Sequence, residues 1–156
     1  PVIVDIVHLH RGYVSDCTRM FSAGSLSNEW MQRLSDMAEI RDSVVASLGR
    51  GDYCSEAWGI GHQKAAEMGY AEHLMGMPPE QAVFLGHSVG LELDETPVVA
   101  EGFDRELPIG GTMAIEPKVL YQEGAIGTED TYTRTSEGME CLTMGDSWDL
   151  MTEWNK

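Results

Sequence analysis

Residues 112–135 read TMAIEPKVLYQEGAIGTEDTYTRT, two strand-like runs joined by a short polar turn. Residues 112–121 and 126–135 therefore predict an antiparallel hairpin. Glu116 and Glu129 lie thirteen residues apart, with the turn at their midpoint. Residues directly opposite one another in such a hairpin point to the same face, with Cβ atoms roughly 4.5–5.5 Å apart. We expect this hairpin to present two carboxylates side by side.

The hairpin that comes first along the chain is predicted at its start, and the one at residues 112–135 is the second. Residues 2–7 and 13–21 are mainly apolar runs that join through Arg11-Gly12, a dipeptide suited to a tight turn. Asp5 and Asp16 lie eleven residues apart around this turn. The same argument predicts that they are direct cross-strand partners on one face.

One histidine can complete a site with these four acids. His87, within the apolar stretch 85–90, offers a nitrogen ligand. Four neighbouring carboxylates cannot all stay ionised unless their pKa values rise or cations lie between them. Each residue alone is explained as well by an acidic hairpin or a core histidine. Together they predict a site for two divalent ions, with Mn, Co, Fe or Zn suited to oxygen ligands and one imidazole.

Composition limits the classes of partner. The 156 residues carry a formal charge of −16, which disfavours nucleic acid and anionic membrane surfaces as partners. No stretch approaches about 18 consecutive apolar residues, so no membrane span is expected. Three scattered cysteines do not form a disulfide or zinc pattern. These features predict a cytoplasmic protein.

The segment between the hairpins is predicted to be helical. Ser27 can cap a first helix, which Gly51 ends, and Asp52 or Ser55 opens a second helix that runs to about residues 68–69. Strands return from Val83 and close with residues 138–142. The order of hairpin, helices and hairpin predicts an α+β layout with helices on one sheet face. The tail after Asp146, with Trp148 and Trp154, is expected to be docked or frayed.

Several motifs together resemble one family. They are residues 12–19 (GYVSDCTR), Gly86-His87, residues 114–117 (AIEP), residues 129–131 (EDT) and residues 137–143 (EGMECLT). In order and spacing these are similar to the pita-bread metallopeptidases, which include creatinase, prolidase, aminopeptidase P and methionine aminopeptidase. The Xaa-Pro peptidase branch is the most similar, and the resemblance runs from Asp5 to Thr143, nearly the whole chain.

The resemblance implies a fold, a site and a reaction. The fold would be the α+β pita-bread catalytic domain, and residues 1–156 a partial domain without its first part, because the chain opens inside an apparent core strand. Asp5 and Asp16 would bind one metal ion, and His87 and Glu116 the other. Asp16 and Glu129 would bridge the two ions. The implied activity is hydrolysis of Xaa-Pro bonds in a peptide substrate by metal-activated water, in a homodimer formed through the full-length chain.

Three positions depart from the family pattern. Val83 and Asp94 stand where prolidase-like members have histidines, and Gly127 stands where many have an arginine. An ionised Asp94 can act as a general base or hold a substrate amine, whereas it cannot stabilise an oxyanion. A turn aspartate is an equally good explanation.

These departures keep two alternatives open. One is a metal-dependent lyase or C–N hydrolase that acts on a small molecule with Asp94 as base. The other is a non-catalytic binding module, which is disfavoured because all five metal ligands are present in this chain.

Overall fold

The computed structural model describes residues 1–143 and the backbone of residues 152–153. It has the α+β layout that the sequence predicts. The strands of five or more residues are β1 (Val2–His10), β2 (Tyr13–Ser22), β5 (Phe84–Ser88), β6 (Glu95–Ala100) and β10 (Asp130–Thr135). The shorter ones are β3 (Gly76–Met77), β4 (Glu80–Gln81), β7 (Thr112–Ile115), β8 (Lys118–Tyr121), β9 (Gly124–Gly127), β11 (Gly138–Cys141) and β12 (Thr152–Glu153). Trp148 and Trp154 lie outside the described residues.

Two helices lie between the first hairpin and the main sheet. Helix α1 (Asn28–Arg50) begins at the predicted cap, where the Ser27 hydroxyl accepts from the Trp30 N–H at 3.4 Å. It ends at Gly51, whose φ of 91° is left-handed and suits glycine. Helix α2 (Cys54–Glu67) begins after Tyr53, not after Asp52 or Ser55 as predicted. No described helix is long and apolar enough to cross a membrane.

The first hairpin has a different register from the predicted one. Strands β1 and β2 pair Asp5 with Thr18 and Val7 with Asp16, so the two aspartates are offset by two positions. The cause is the turn, because Arg11 and Gly12 both have positive φ (51° and 89°) and together form a two-residue connection. The even offset keeps both aspartates on one face, as diagonal neighbours and not direct partners.

Strand β1 is also more exposed than expected. It lies at the edge of the sheet β1-β2-β12. The prediction of a core strand at residues 2–7 is wrong for Val2, Ile6 and Val7, which are exposed. Strand β2 carries the buried face of this hairpin, including Met20.

The second hairpin has the predicted register along its whole length. Lys118 pairs with Gly127 and Thr112 with Thr133, so the numbers of partners add to 245 in both halves. Strands β7 and β10 belong to the five-stranded antiparallel sheet β11-β10-β7-β5-β6, whereas β8 and β9 form a separate pair. The ladder is interrupted between these halves, where the same sum of residue numbers places Glu116 opposite Glu129.

A contiguous core lies between the helices and the five-stranded sheet. Helix α1 contributes Met37, Ile40, Val44 and Leu48, all fully buried at helical spacing. The helices thus cover one face of the sheet and fix the strands that carry the acids.

Candidate metal centre

Strand pairing brings the two hairpins and β5 to one point. His87 lies in β5, opposite Ala114 of β7, and Glu116 follows β7 directly. An isolated bridge joins Thr18 of β2 to Glu129, with the Thr18 N–H donating to the Glu129 carbonyl at 3.2 Å. Together with hydrogen bonds between Asp16 and Thr131, this bridge holds the first hairpin against the second.

Three predicted ligands form a buried group. Asp16, His87 and Glu129 each offer one ligand atom, and these atoms all lie within 4.8 Å of one another. All three side chains are buried, Glu129 with 1% exposure. His87 Nε2 lies 3.8 Å from Asp16 Oδ2 and 3.5 Å from Glu116 Oε1, so Glu116 borders the same group.

The group fits a divalent cation. Asp16 Oδ1 is buried and makes no hydrogen bond with any described residue. An unpartnered buried carboxylate oxygen is costly, and a metal ion would satisfy it. Two oxygen donors and one imidazole match the preferences of Mn, Fe, Co and Zn.

The imidazole of His87 is oriented for this role. Its Nδ1 lies 3.2 Å from the Ser88 carbonyl oxygen and 3.5 Å from Asp94 Oδ1. Two acceptors beside Nδ1 favour the proton there, which leaves the Nε2 lone pair facing the carboxylates.

Asp5 lies at the rim of the centre. Its side chain is 51% exposed and it is outside the three-residue group. Its carboxylate still interacts with that of Asp16. The predicted side-by-side pair is therefore replaced by a buried Asp16 and a half-exposed Asp5.

The acids raise one another's pKa. Burial raises the pKa of Glu129 to about 7, and nearby Glu116 and Asp16 add to the effect while Lys118 and Thr18 oppose it. Burial also raises the pKa of Asp16 to about 6, with Asp5 adding to the effect and His87 opposing it. The site thus has less positive charge than its carboxylates need for all of them to ionise at their ordinary pKa values.

Lys118 supplies part of that positive charge, and the sequence analysis missed it. Its Nζ lies 2.6 Å from Glu116 Oε2, 3.2 Å from Glu129 Oε2 and 3.7 Å from Asp5 Oδ2. Burial lowers the pKa of Lys118, but the surrounding carboxylates raise it above its ordinary value. A signal was available, because residues two apart along a strand share a face and Lys118 follows Glu116 by two.

A second buried charge network lies behind Glu129 and was also missed. Asp130, fully buried, contacts Arg19 at 2.8 Å and Arg41 at 3.2 Å. Arg19 also donates to the Glu129 carbonyl oxygen at 3.0 Å. The network therefore holds the backbone that carries Glu129. Arg41 comes from the middle of α1, and no local pattern links it to Asp130.

Asp94 lies next to His87 but remains open to solvent. Its side chain is 70% exposed. The adjoining turn is capped by its neighbour Glu95, whose Oε1 accepts from the backbone N–H groups of Leu91 and Glu92 at 2.7 and 2.8 Å. The capping role that the sequence allowed for Asp94 thus falls to Glu95. Val83 is exposed, and Gly127 lies in β9 opposite Lys118.

Comparisons with known proteins show the family to which the chain belongs. The sequence model of metallopeptidase family M24 matches residues 1–136, and the chain belongs to that family. It is 31% identical over 143 residues to the Xaa-Pro dipeptidase of Pyrococcus horikoshii, covering 91% of this chain. The chain spans only 39% of the length of that relative.

Solved structures show the same fold. The prolidase from Pyrococcus furiosus superposes with a TM-score of 0.82 at 27% identity, covering 93% of this chain and 41% of that one. The methionine aminopeptidase from Rickettsia prowazekii superposes with a TM-score of 0.73 at 15% identity, covering 91% and 63%. The latter likeness concerns the fold alone. The architecture is thus the pita-bread α+β fold.

Proposed function

We propose that residues 1–156 are part of the catalytic domain of a divalent-metal-dependent peptidase that hydrolyses Xaa-Pro bonds. The observation that carries the proposal is the buried group of Asp16, His87 and Glu129 with an unpartnered Asp16 Oδ1. Membership of family M24 supports a metallopeptidase. The name of the P. horikoshii relative supports the Xaa-Pro preference.

The proposed centre holds two divalent ions, manganese among the candidates. Asp16, His87 and Glu129, with Glu116 beside them, would hold one ion. Asp5 would take part in holding the other, with Asp16 and Glu129 shared between the two. When bound, such ions polarise a substrate carbonyl and lower the pKa of water.

The protein residues have distinct roles in this proposal. His87 presents Nε2 because the Ser88 carbonyl oxygen accepts at Nδ1, with Asp94 Oδ1 nearby at 3.5 Å. Thr18 donates to Glu129 Oε2 at 2.5 Å and fixes that carboxylate. Asp94, exposed on the solvent side of His87, is the candidate base or amine anchor. We further propose that the natural-length protein is a hydrolase that forms a homodimer in the cytoplasm. It is proposed to have no nucleic acid or membrane partner.

A second candidate function follows from Asp94. Because a carboxylate stands where prolidase-like proteins have a histidine donor, the site would suit proton abstraction from a small molecule. The reaction would then be a lyase or C–N hydrolase reaction, with Asp94 as the base.

The test uses the natural-length protein with Mn²⁺ and a panel of Xaa-Pro dipeptides, matched Xaa-Ala dipeptides and small betaines. We expect Xaa-Pro cleavage that chelation abolishes and Mn²⁺ restores. Turnover of a betaine with all dipeptides intact would favour the second candidate. Metal bound with no turnover of any compound would favour a binding module.

Asp94 can be tested in the same assay. Asp94→Asn is expected to keep the fold and the metal and to lower turnover by roughly 10²–10⁴-fold, the usual contribution of an acid–base group. Asp94→His restores the family residue and should raise Xaa-Pro cleavage. If Asp94→Asn leaves turnover intact, Asp94 has no part in the chemistry.

A further inference from the structure

The carboxylate cluster has two halves that differ in how their charge is balanced. In the half around His87, His87 Nε2 lies 3.8 Å from Asp16 Oδ2 and 3.5 Å from Glu116 Oε1, and the other Asp16 oxygen, Oδ1, is buried without a hydrogen-bond partner among the described residues. In the half around Asp5, the Lys118 ammonium lies among three carboxylates. Glu116 is divided between the halves, because its other oxygen, Oε2, contacts Lys118.

The surroundings of Lys118 are shaped to hold its side chain in this position. Its side chain is only 15% exposed, which is unusual for lysine unless the charge is paired. Its strand partner is Gly127, and a Cβ on Gly127 would collide with Cγ of Lys118. The same Cβ would lie 2.7 Å from the Pro117 carbonyl oxygen. Glycine at position 127 therefore leaves the room that the lysine stem occupies.

A lysine ammonium and a divalent ion compete for the same oxygens. Lys118 contacts Glu116 Oε2, Glu129 Oε2 and Asp5 Oδ2, one carboxylate oxygen from each of three acids. An ion held between Asp5 and Glu129 would have to displace the ammonium and overcome repulsion from it. An ion in the His87 half meets less of an obstacle, because Lys118 contacts Glu129 in that group but pairs with neither Asp16 nor His87 in the described part of the chain.

We propose that Lys118 is a tethered counter-ion in the Asp5 half, so that a first divalent ion binds tightly in the His87 half and a second binds only by displacing Lys118. The inference rests on the proposed metal centre. The presence of Lys118 in the Asp5 half makes the metal affinities of the two positions unequal. It also means that the chain keeps one positive charge in the cluster when metal is scarce.

The experiment is a calorimetric titration of the chelator-stripped natural-length protein with Mn²⁺ alone, together with thermal unfolding in chelator. The variants are Lys118→Met, which removes the charge, and Lys118→Arg, which retains it. Lys64→Met is the control, because Lys64 pairs with Glu39 on the surface, away from the cluster.

The wild type is expected to bind one Mn²⁺ tightly and a second more weakly. In Lys118→Met the weaker affinity should rise roughly tenfold or more, since a charged hydrogen bond no longer competes. The unfolding temperature in chelator should fall and be recovered by Mn²⁺. Lys118→Arg should retain the weak second step, and Lys64→Met should match the wild type.

Several outcomes would overturn the inference. Equal Mn²⁺ affinities in the wild type and Lys118→Met would remove Lys118 from metal competition while leaving the metal centre intact. A Lys118→Met protein that stays unfolded with Mn²⁺ present would show that the lysine serves packing. If no variant binds Mn²⁺, the proposed metal centre itself fails and this inference fails with it.

Discussion

Glu129 and Asp130 are consecutive residues, both buried, yet their surroundings differ sharply. Asp130 lies between two arginines and also accepts from Thr143 Oγ1 at 2.8 Å, so its charge is fully matched. Glu129 shares one lysine with Glu116 and Asp5. Alternation along an extended chain sends the two carboxylates to opposite sides. One side is a closed structural network and the other is a cluster that still needs cations.

Neighbouring residues of one strand can thus combine rigidity with reactivity. A carboxylate flanked by two guanidiniums is satisfied and gains nothing from a ligand. A carboxylate among other carboxylates is held at a cost in free energy that a bound cation removes. Arg19 contacts Asp130 and the Glu129 carbonyl, so the rigid side positions the reactive one.

The largest expected effect is a difference in the free energy of unfolding between matched amide substitutions at these two neighbouring residues. Asp130→Asn removes the buried counter-charge of Arg19 and one of those of Arg41, which also pairs with Asp42 at 3.0 Å. We expect a loss of about 3–5 kcal/mol in the free energy of unfolding. Glu129→Gln should leave stability in chelator at pH 8 unchanged or higher, because burial already disfavours its ionised form. Denaturant unfolding in chelator measures both. Equal destabilisation by the two substitutions would refute the contrast.

A smaller effect on stability is expected when the pH is changed in the presence of chelator. A carboxyl group whose pKa is higher in the folded state binds more protons when folded, so its stabilising contribution is complete below the unfolded pKa and is lost as pH rises through the folded pKa. Glu129 rises from 4.5 to about 7 and Asp16 from 3.8 to about 6.

Stability should therefore fall by roughly a few kcal/mol between pH 5 and pH 8, as each pKa unit corresponds to about 1.4 kcal/mol. Thermal unfolding across this range measures the slope. Saturating Mn²⁺ should reverse it, because metal binding requires the deprotonated ligands. A rise in stability with pH in chelator would contradict the charge shortage assigned to the cluster.

The smallest expected effect concerns the hydroxyl that holds Glu129. Thr18→Val removes the donor at 2.5 Å from Glu129 Oε2 while keeping the side-chain shape. We expect Mn²⁺ affinity to fall roughly 10- to 100-fold, the range for residues that orient a metal ligand. Thr133→Val is the control, since its hydroxyl donates to the Gly111 carbonyl at 3.3 Å, away from the cluster. Equal affinities in both variants would deny Thr18 an orienting role.

Local geometry decided how much the sequence could predict. The second hairpin was predicted in its correct register because Glu116 and Glu129 flank a turn that keeps one partner sum throughout. The first hairpin was predicted two positions out, since the positive φ angles of Arg11 and Gly12 move the turn centre.

The buried charge network around Asp130, unlike the hairpins, could not be predicted from the sequence. Arg41 and Asp130 are 89 residues apart, and only the packing of α1 on the sheet brings them together. Such a contact leaves no periodic trace in the sequence. Lys118 is the opposite case, because it lies only two residues from Glu116. That spacing alone could have predicted its position near the acids.

The most direct test of the metal centre is anomalous diffraction from crystals of the natural-length protein grown with Mn²⁺. We predict a strong peak about 2.0–2.3 Å from an Asp16 carboxylate oxygen, His87 Nε2 and a Glu129 oxygen, distances usual for such ligands. A weaker peak is expected beside Asp5, with Lys118 displaced wherever that peak appears. Crystals that contain Mn²⁺ elsewhere, with His87 and Asp16 free of any peak, would contradict the account.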